Sequence, residues 1–247
     1  MDDHAAHANS FGPAASIYER GRPTYPAEAL DWLLAPTGAA SERAPLRVLD
    51  LGAGTGKLTR QLAGRGLAVT AVDPSDGMLA EFGRVLPGLP ALVGTAEGIP
   101  LPDHSIDIVL VAQAWHWVDV AQAVPEVARV LAPGGRLGLI WNLRDEREDW
   151  VRELGEIIGS AETNRQTTIG PPFGPVEIRE FGRTHRIDRA QLLDLVASRS
   201  RVILLPAAAR ATLLDRVRDL MDTHPALAGH DEFDMPYRTE CARADLP

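Results

Sequence analysis

One cysteine in 247 residues excludes an intramolecular disulfide. Cys241 stands in a predicted C-terminal strand with no motif around it, so it reads as a semi-buried structural thiol rather than a nucleophile. Long apolar runs are also missing. Ile106–Ala112 and Val202–Leu205 fall far short of the ~20 residues needed to span a bilayer. The opening MDDHAAHANS is acidic where a secretion signal would be basic, and no apolar segment follows, so a cytoplasmic location is expected, with no membrane partner. Positive charge is in the minority: a formal net charge of −9 argues against a nucleic-acid partner. The pairs Arg183–Arg186 and Arg199–Arg201 are too sparse for a basic patch and read as a solvated face. The seven histidines show no ligand spacing, so no metal site is expected.

Repeats and low-complexity segments are absent too, and 45% hydrophobic with 24% charged residues is ordinary for a globular chain. A chain of this length can bury one substantial core. Residues 1–15 are small and polar. Glu28–Leu34 reads as a short helix ended by Pro36, and a loop runs to Pro45. Strands are predicted at Leu46–Leu51, Ala68–Val72, Ala91–Val93, Ile106–Val111 and Arg136–Trp141. Between them lie a helix with Leu58 and Leu62 on one face, a helix lined by Met78, Leu79, Phe82, Val85 and Leu86, and a helix over Val120–Leu131 that stops at Pro133-Gly134-Gly135. Beyond Trp141 come a helix carrying Trp150, Leu154, Ile157 and Ile158, a loop over Ser160–Pro175, and an extended stretch at Val176–Ile187. Helices at Arg189–Ala197 and Ala208–Met221 and a closing strand at Glu232–Ala242 complete the chain, with Arg201–Leu205 open between strand and helix.

Strands alternating with helices of this length imply βαβ units with right-handed crossovers. The expected fold is α/β: a doubly wound, mostly parallel, seven-stranded Rossmann-like sheet with helices on both faces and an antiparallel C-terminal strand. The expected division is an arm with helices covering a cofactor site (1–45), a cofactor-binding core (46–142), and C-terminal helices and closing strands of the same domain on the substrate side (143–247).

The chemistry is carried by VLDLGAGTGKLT, Val48–Thr59, a strand, a Gly-rich turn and a helix start. Gly52, Gly54 and Gly56 make G-x-G-x-G, but Lys57 occupies the position where a dinucleotide fingerprint requires its third glycine. Asp50 before the turn would repel a pyrophosphate and suits an ammonium. Asp73 ends the second strand roughly 20 residues after the loop, the separation at which a carboxylate accepts ribose hydroxyls in nucleotide-binding folds.

Together these stretches resemble the class I S-adenosylmethionine-dependent methyltransferases over about residues 46–142. Gly94–Trp117 resembles the family's adenine loop and fourth strand, and Glu126–Asn142 the helix, turn and strand that follow. The arm FGPAASIYERGRPTYP, Phe11–Pro26, resembles the trans-aconitate methyltransferase-like subgroup. The resemblance implies S-adenosyl-L-methionine as cofactor. Gly52, Ala53, Gly54 and Gly56 would approach its methionine portion, Asp50 its ammonium and Asp73 its ribose diol. Pro74 or Met78 would pack on the adenine, Ala96 and Glu97 would lie at the adenine edge, and Gln113 would face the sulfonium side. Thr95 stands where the family usually has Asp. Tyr18 and Arg22 of the arm are candidate contacts to the methionine carboxylate.

In open α/β sheets ligands bind beyond the carboxyl ends of the strands, which directs attention to Gln113-Ala114-Trp115-His116-Trp117. Trp115, His116, Trp117 and Trp141 are placed on the acceptor side. His116 is the candidate catalytic base, needed for a phenol or carbon acid and superfluous for a carboxylate, which is ionised at neutral pH. An Asn/Asp-Pro-Pro-aromatic tetrad is absent after the fourth strand, which argues against methylation of amino groups on adenine or glutamine. The expected reaction is methyl transfer to a small organic acceptor, with a carboxylate first in view. A cofactor-binding protein without catalysis and a nucleotide-dependent oxidoreductase remain as alternatives. Oligomeric state is open.

Overall fold

The computed structural model describes residues 23–36, 45–159 and 167–247. Tyr18, Arg22 and the 1–15 segment lie outside the described residues. Helix α1 (Ala27–Leu33) comes first, followed by strand β1 (Arg47–Leu51), helix α2 (Lys57–Ala63), strand β2 (Ala68–Asp73) and helix α3 (Asp76–Val85). Strands β3 (Ala91–Val93) and β4 (Ile106–Ala112) lead to a 3-10 turn at Trp115–Trp117 and helix α4 (Val120–Val130). Strand β5 (Leu131–Arg144), helix α5 (Asp149–Ile158) and strand β6 (Glu177–Asp188) follow. Helices α6 (Arg189–Ala197), α7 (Ser200–Ile203) and α8 (Ala207–Thr223) and strand β7 (Glu232–Asp245) end the chain.

Local chemistry accounts for several of these boundaries. Gly56 sits left-handed at φ +86° just before α2. Ser75 caps α3 by accepting the Met78 N–H, and Asp119 caps α4 by accepting that of Ala121. At α6, Asp188 and Gln191 form a reciprocal capping box.

The sheet order is β3-β2-β1-β4-β5-β7-β6. Pairs β1–β2, β1–β4, β2–β3 and β4–β5 are parallel. Strand β7 runs against β5, since Asp145 N–H reaches Pro236 O and Leu246 N–H reaches Gly135 O. This is the expected seven-stranded, mostly parallel sheet with an antiparallel C-terminal strand.

The described residues of Thr24–Trp141, Arg165–Phe181 and Thr239–Pro247 form one compact unit, and those of Asn142–Asn164 and Gly182–Arg238, with Pro23, a second. In the first, Leu30 and Leu33 of α1 and Leu58 and Leu62 of α2 pack with Val48, Ile108, Leu110 and Ile140 of the sheet, and buried Cys241 closes this cluster. Oppositely directed residues Leu49, Val109, Val111, Leu137 and Leu139 are also buried, so both faces of these strands are covered. In the second, Val151, Leu154 and Ile158 share a core with Leu192, Val196, Val217, Met221, Phe233 and Met235. Among the described residues no helix is long and apolar enough to cross a membrane.

Three expectations are corrected. The helix predicted to reach Leu131 ends at Val130, and Leu131 already belongs to β5. Pro133-Gly134-Gly135 is no turn between elements but lies inside β5, where the pairing with β4 shifts register between Ile106 and Ile108. Gly135 is needed for close approach: a Cβ there would lie 2.8 Å from Ala132 O and 2.9 Å from Asp107 O. The closing strand continues past Ala242 to Asp245. The ambiguous Arg201–Leu205 segment contributes to the short helix α7.

Candidate active site

From β1 the sheet continues outward through β2 and β3 on one side and through β4 and β5 on the other. The crevice at such a reversal is where open α/β sheets bind ligands. Its floor is the glycine turn. Gly52 N–H and Ala53 N–H both donate to Val72 O, at 2.8 and 3.1 Å, which ties the turn to the end of β2. Gly52, Gly54 and Gly56 all have positive φ, +75°, +56° and +86°. They differ in what surrounds them. A Cβ on Gly52 would lie 2.8 Å from Ala114 Cβ, and one on Gly56 would lie 2.5 Å from Leu86 Cδ1, whereas one on Gly54 would meet nothing within 4 Å. Gly52 and Gly56 therefore serve close packing, and Gly54 leaves open space above the turn.

Two buried carboxylates lie near the turn, Asp50 on β1 and Asp73 at the end of β2. Asp50 is fully buried, and its Oδ2 accepts the Thr59 hydroxyl at 2.5 Å. Its Oδ1 is buried with no hydrogen-bond partner among the described residues. Burial pushes its carboxyl up to about 7, opposed by the hydrogen bonds from Thr59 and reinforced by the nearby charge of Asp73. Asp73 at the end of β2 is held from both sides: Oδ2 accepts Gly54 N–H at 2.8 Å and Oδ1 accepts Ser75 N–H at 2.9 Å. Burial raises its carboxyl, and these two N–H groups partly offset the rise. Thr59 and Ser75 were not anticipated from sequence. The rule that a buried carboxylate needs donors would have found Thr59, in the first turn of the helix after the loop.

At the end of β3, Thr95 bridges to Gly98, Ala96 is buried, and Glu97 Oε1 accepts the Asp119 N–H at 2.8 Å. Glu97 thus helps to hold the start of α4. Pro74 is exposed, and Met78 is buried under the first turn of α3. Gln113 follows β4 with φ +60°, rare for a non-glycine residue, and its N–H donates to Ile140 O. Trp115 is fully buried, with its indole N–H on Thr168 O at 3.2 Å. His116 is partly exposed, and its ring lies 4.7 Å from that of Trp117 at a tilt of 44°; Trp117 is 40% exposed. Trp141 is only 2% exposed, and its indole N–H has no partner among the described residues. Among the described residues no group of three or more His, Cys, Asp or Glu could hold a metal ion.

A family profile described as a methyltransferase domain matches residues 49–139. An uncharacterized methyltransferase of Mycobacterium tuberculosis is 57% identical over 239 residues, 96% of each chain. The chain belongs to the class I S-adenosylmethionine-dependent methyltransferases. This methyltransferase is also 31% identical to an uncharacterized methyltransferase-like protein of Schizosaccharomyces pombe over 240 residues, 93% of each chain. A solved structure from Anaeromyxobacter dehalogenans, provisionally named a type II methyltransferase, superposes with a TM-score of 0.67 at 25% identity, covering 91% of this chain and 97% of that one. The cofactor of the methyltransferase is S-adenosyl-L-methionine.

Proposed function

We propose that this methyltransferase moves the S-adenosylmethionine methyl group to a small organic acceptor, a carboxylate foremost, acting in the cytoplasm as a member of the trans-aconitate methyltransferase-like subgroup. The observation that carries the cofactor site is the buried, unpartnered Asp50 Oδ1, on the strand that leads into the glycine turn where Gly54 leaves open space. An isolated buried carboxylate oxygen is costly, and an ammonium from the cofactor's methionine end would satisfy it. Asp73 keeps lone pairs beyond its two backbone bonds and would accept the ribose hydroxyls. Met78 and Pro74 would flank the adenine, and Thr95, Ala96 and Glu97 would line its edge. Gln113 would lie on the sulfonium side, with Gly52, Ala53 and Gly56 shaping the turn below. Tyr18 and Arg22 remain candidate contacts to the methionine carboxylate on the sequence resemblance of Phe11–Pro26, which also supports the subgroup assignment.

When bound, the sulfonium supplies an electrophilic methyl and a neutral thioether leaving group. The protein then has to align an acceptor in line with methyl and sulfur and keep water away. A carboxylate acceptor arrives ionised and needs no base. His116 and Trp117 would flank the acceptor, with His116 orienting it or, for a phenol, taking its proton. Buried Trp115 would support that turn from beneath.

A thermal-shift comparison tests the cofactor half. S-adenosylhomocysteine at about 100 times its Kd should raise stability by about 2.7 kcal/mol, a Tm rise of roughly 5–10 °C, with no rise from NAD. Methyl-labelled cofactor offered with carboxylic acids, phenols and quinone precursors tests the other half. Labelled methyl esters are expected, and product from phenols alone would overturn the carboxylate assignment.

The glycine turn supplies a second test. Gly56→Ala should cost about 2–4 kcal/mol of stability, because its Cβ would be forced onto Leu86 and Phe82 at positive φ. Gly54→Ala should cost only about 1 kcal/mol from backbone strain but weaken S-adenosylhomocysteine binding by about tenfold or more, by filling the cofactor's space. Denaturant unfolding and calorimetric titration of both variants should show this inversion. Equal binding losses at equal stability would mean that the open space at Gly54 is not where the cofactor lies.

A further inference from the structure

Trp115 and Trp141 are both buried tryptophans of the same compact unit, and they are treated differently. The Trp115 indole N–H is satisfied by Thr168 O at 3.2 Å, as buried indoles usually are. The Trp141 indole N–H is buried and reaches no acceptor among the described residues. Phenylalanine would fill such a slot without leaving a stranded donor, so packing alone does not account for tryptophan here.

Its position supplies a reason. Trp141 follows Ile140, which pairs with Ala112 of β4 and whose carbonyl accepts the N–H of Gln113. Ile140 is the last β5 residue paired with β4, so Trp141 lies level with Gln113, where β4 has ended and β5 runs on to Arg144. Strand β4 separates β5 from β1, so Trp141 lies two strand spacings across and two residues beyond the end of β1, roughly 12 Å away. That is the side of the glycine turn away from β2 and Asp73. With the nucleoside over β1 and β2, an in-line acceptor approaches from the β4 and β5 side.

We propose that the Trp141 indole N–H donates a hydrogen bond to a carboxylate oxygen of the methyl acceptor, which makes Trp141 a specificity-determining residue. This rests on the methyltransferase site placed at the glycine turn. A neutral donor buried in apolar surroundings binds an anionic oxygen strongly without itself adding charge. An acceptor lacking that oxygen would leave the N–H stranded and be disfavoured accordingly.

The test uses the full chain saturated with S-adenosylhomocysteine, with succinate and tricarballylate as probes. The five tryptophans give five indole N–H resonances, and the one lost in Trp141→Phe is assigned to Trp141. Adding the carboxylate should move that resonance downfield and slow its exchange with solvent. Trp141→Phe should bind the carboxylate about tenfold or more weakly, with S-adenosylhomocysteine affinity within experimental error of the unmutated chain's and a Tm no lower. A merely structural Trp141 would leave carboxylate affinity unchanged, and that result overturns the proposal. So does a resonance that neither acid moves, or one that moves fully with S-adenosylhomocysteine alone. Failure to bind S-adenosylhomocysteine at all would overturn the cofactor site as well, which separates the two readings.

Discussion

Asp73→Ala is expected to weaken S-adenosylhomocysteine binding by about 100-fold or more while leaving a folded protein with a lowered Tm. Two hydrogen bonds from a ribose diol to a buried carboxylate are worth about 3–6 kcal/mol together, and alanine removes both. The same change releases the N–H groups of Gly54 and Ser75, which Asp73 now accepts at 2.8 and 2.9 Å. Part of the binding loss would therefore come from a loosened glycine turn. Asp73→Asn separates the contributions. Its amide oxygen can keep one backbone donor, but its NH₂ group faces the other donor and can accept nothing. It should fall between the wild type and alanine in both affinity and Tm. Isothermal titration across the three proteins gives the order directly, and an alanine variant that lost Tm but bound the cofactor within twofold would remove Asp73 from the site.

The fold was legible where composition and periodicity agree. The strand at Ala91–Val93 and the helix at Arg189–Ala197 appear at their predicted bounds, and Asp73 closes β2 as its place after the apolar run implies. The misreading at the start of β5 has a physical cause. Pro133-Gly134-Gly135 carries the residue types of a chain break, but here the small residues let β5 approach the backbone around Asp107. Residue type alone does not distinguish a glycine that turns the chain from one that admits a neighbour. The same limit holds at the site. Gly52, Gly54 and Gly56 are equivalent in the sequence, yet only Gly54 faces open space. Glu97 matches a family position in the sequence, and the structure adds its bond to the Asp119 N–H. Thr59 carries no motif, yet it is the side chain that holds Asp50. Side-chain types follow from the chain; partnerships between elements follow only from packing.

Asp50 should make the unliganded methyltransferase less stable as pH rises toward 7. Its carboxyl titrates at about 7 in the folded chain, because burial penalises the charge more than Thr59 relieves it. In the unfolded chain it titrates near the ordinary value of about 3.9. Between these values the folded state holds a proton that the unfolded state has released, so unfolding becomes easier as pH increases. This contribution is fully present below about pH 4 and gone above about pH 7; over roughly three pH units it amounts to at most about 4 kcal/mol. Asp50→Asn carries no such charge. The variant should match the wild type near pH 4 and exceed its Tm at pH 8 by several degrees, roughly 5–10 °C. Cofactor binding should run the opposite way. An ammonium beside Asp50 favours the ionised carboxylate, so wild-type affinity for S-adenosylhomocysteine should climb from pH 5 to about pH 7 and then level off. The asparagine variant should show no such climb and bind about 100-fold more weakly at pH 8. Because Asp73 is also raised by burial and titrates in the same sense, the decisive quantity is the difference between wild type and variant at each pH. A difference in Tm that stayed constant from pH 5 to pH 8 would show that Asp50 is already ionised in the unliganded fold, and that the cofactor's ammonium has no proton to displace from it.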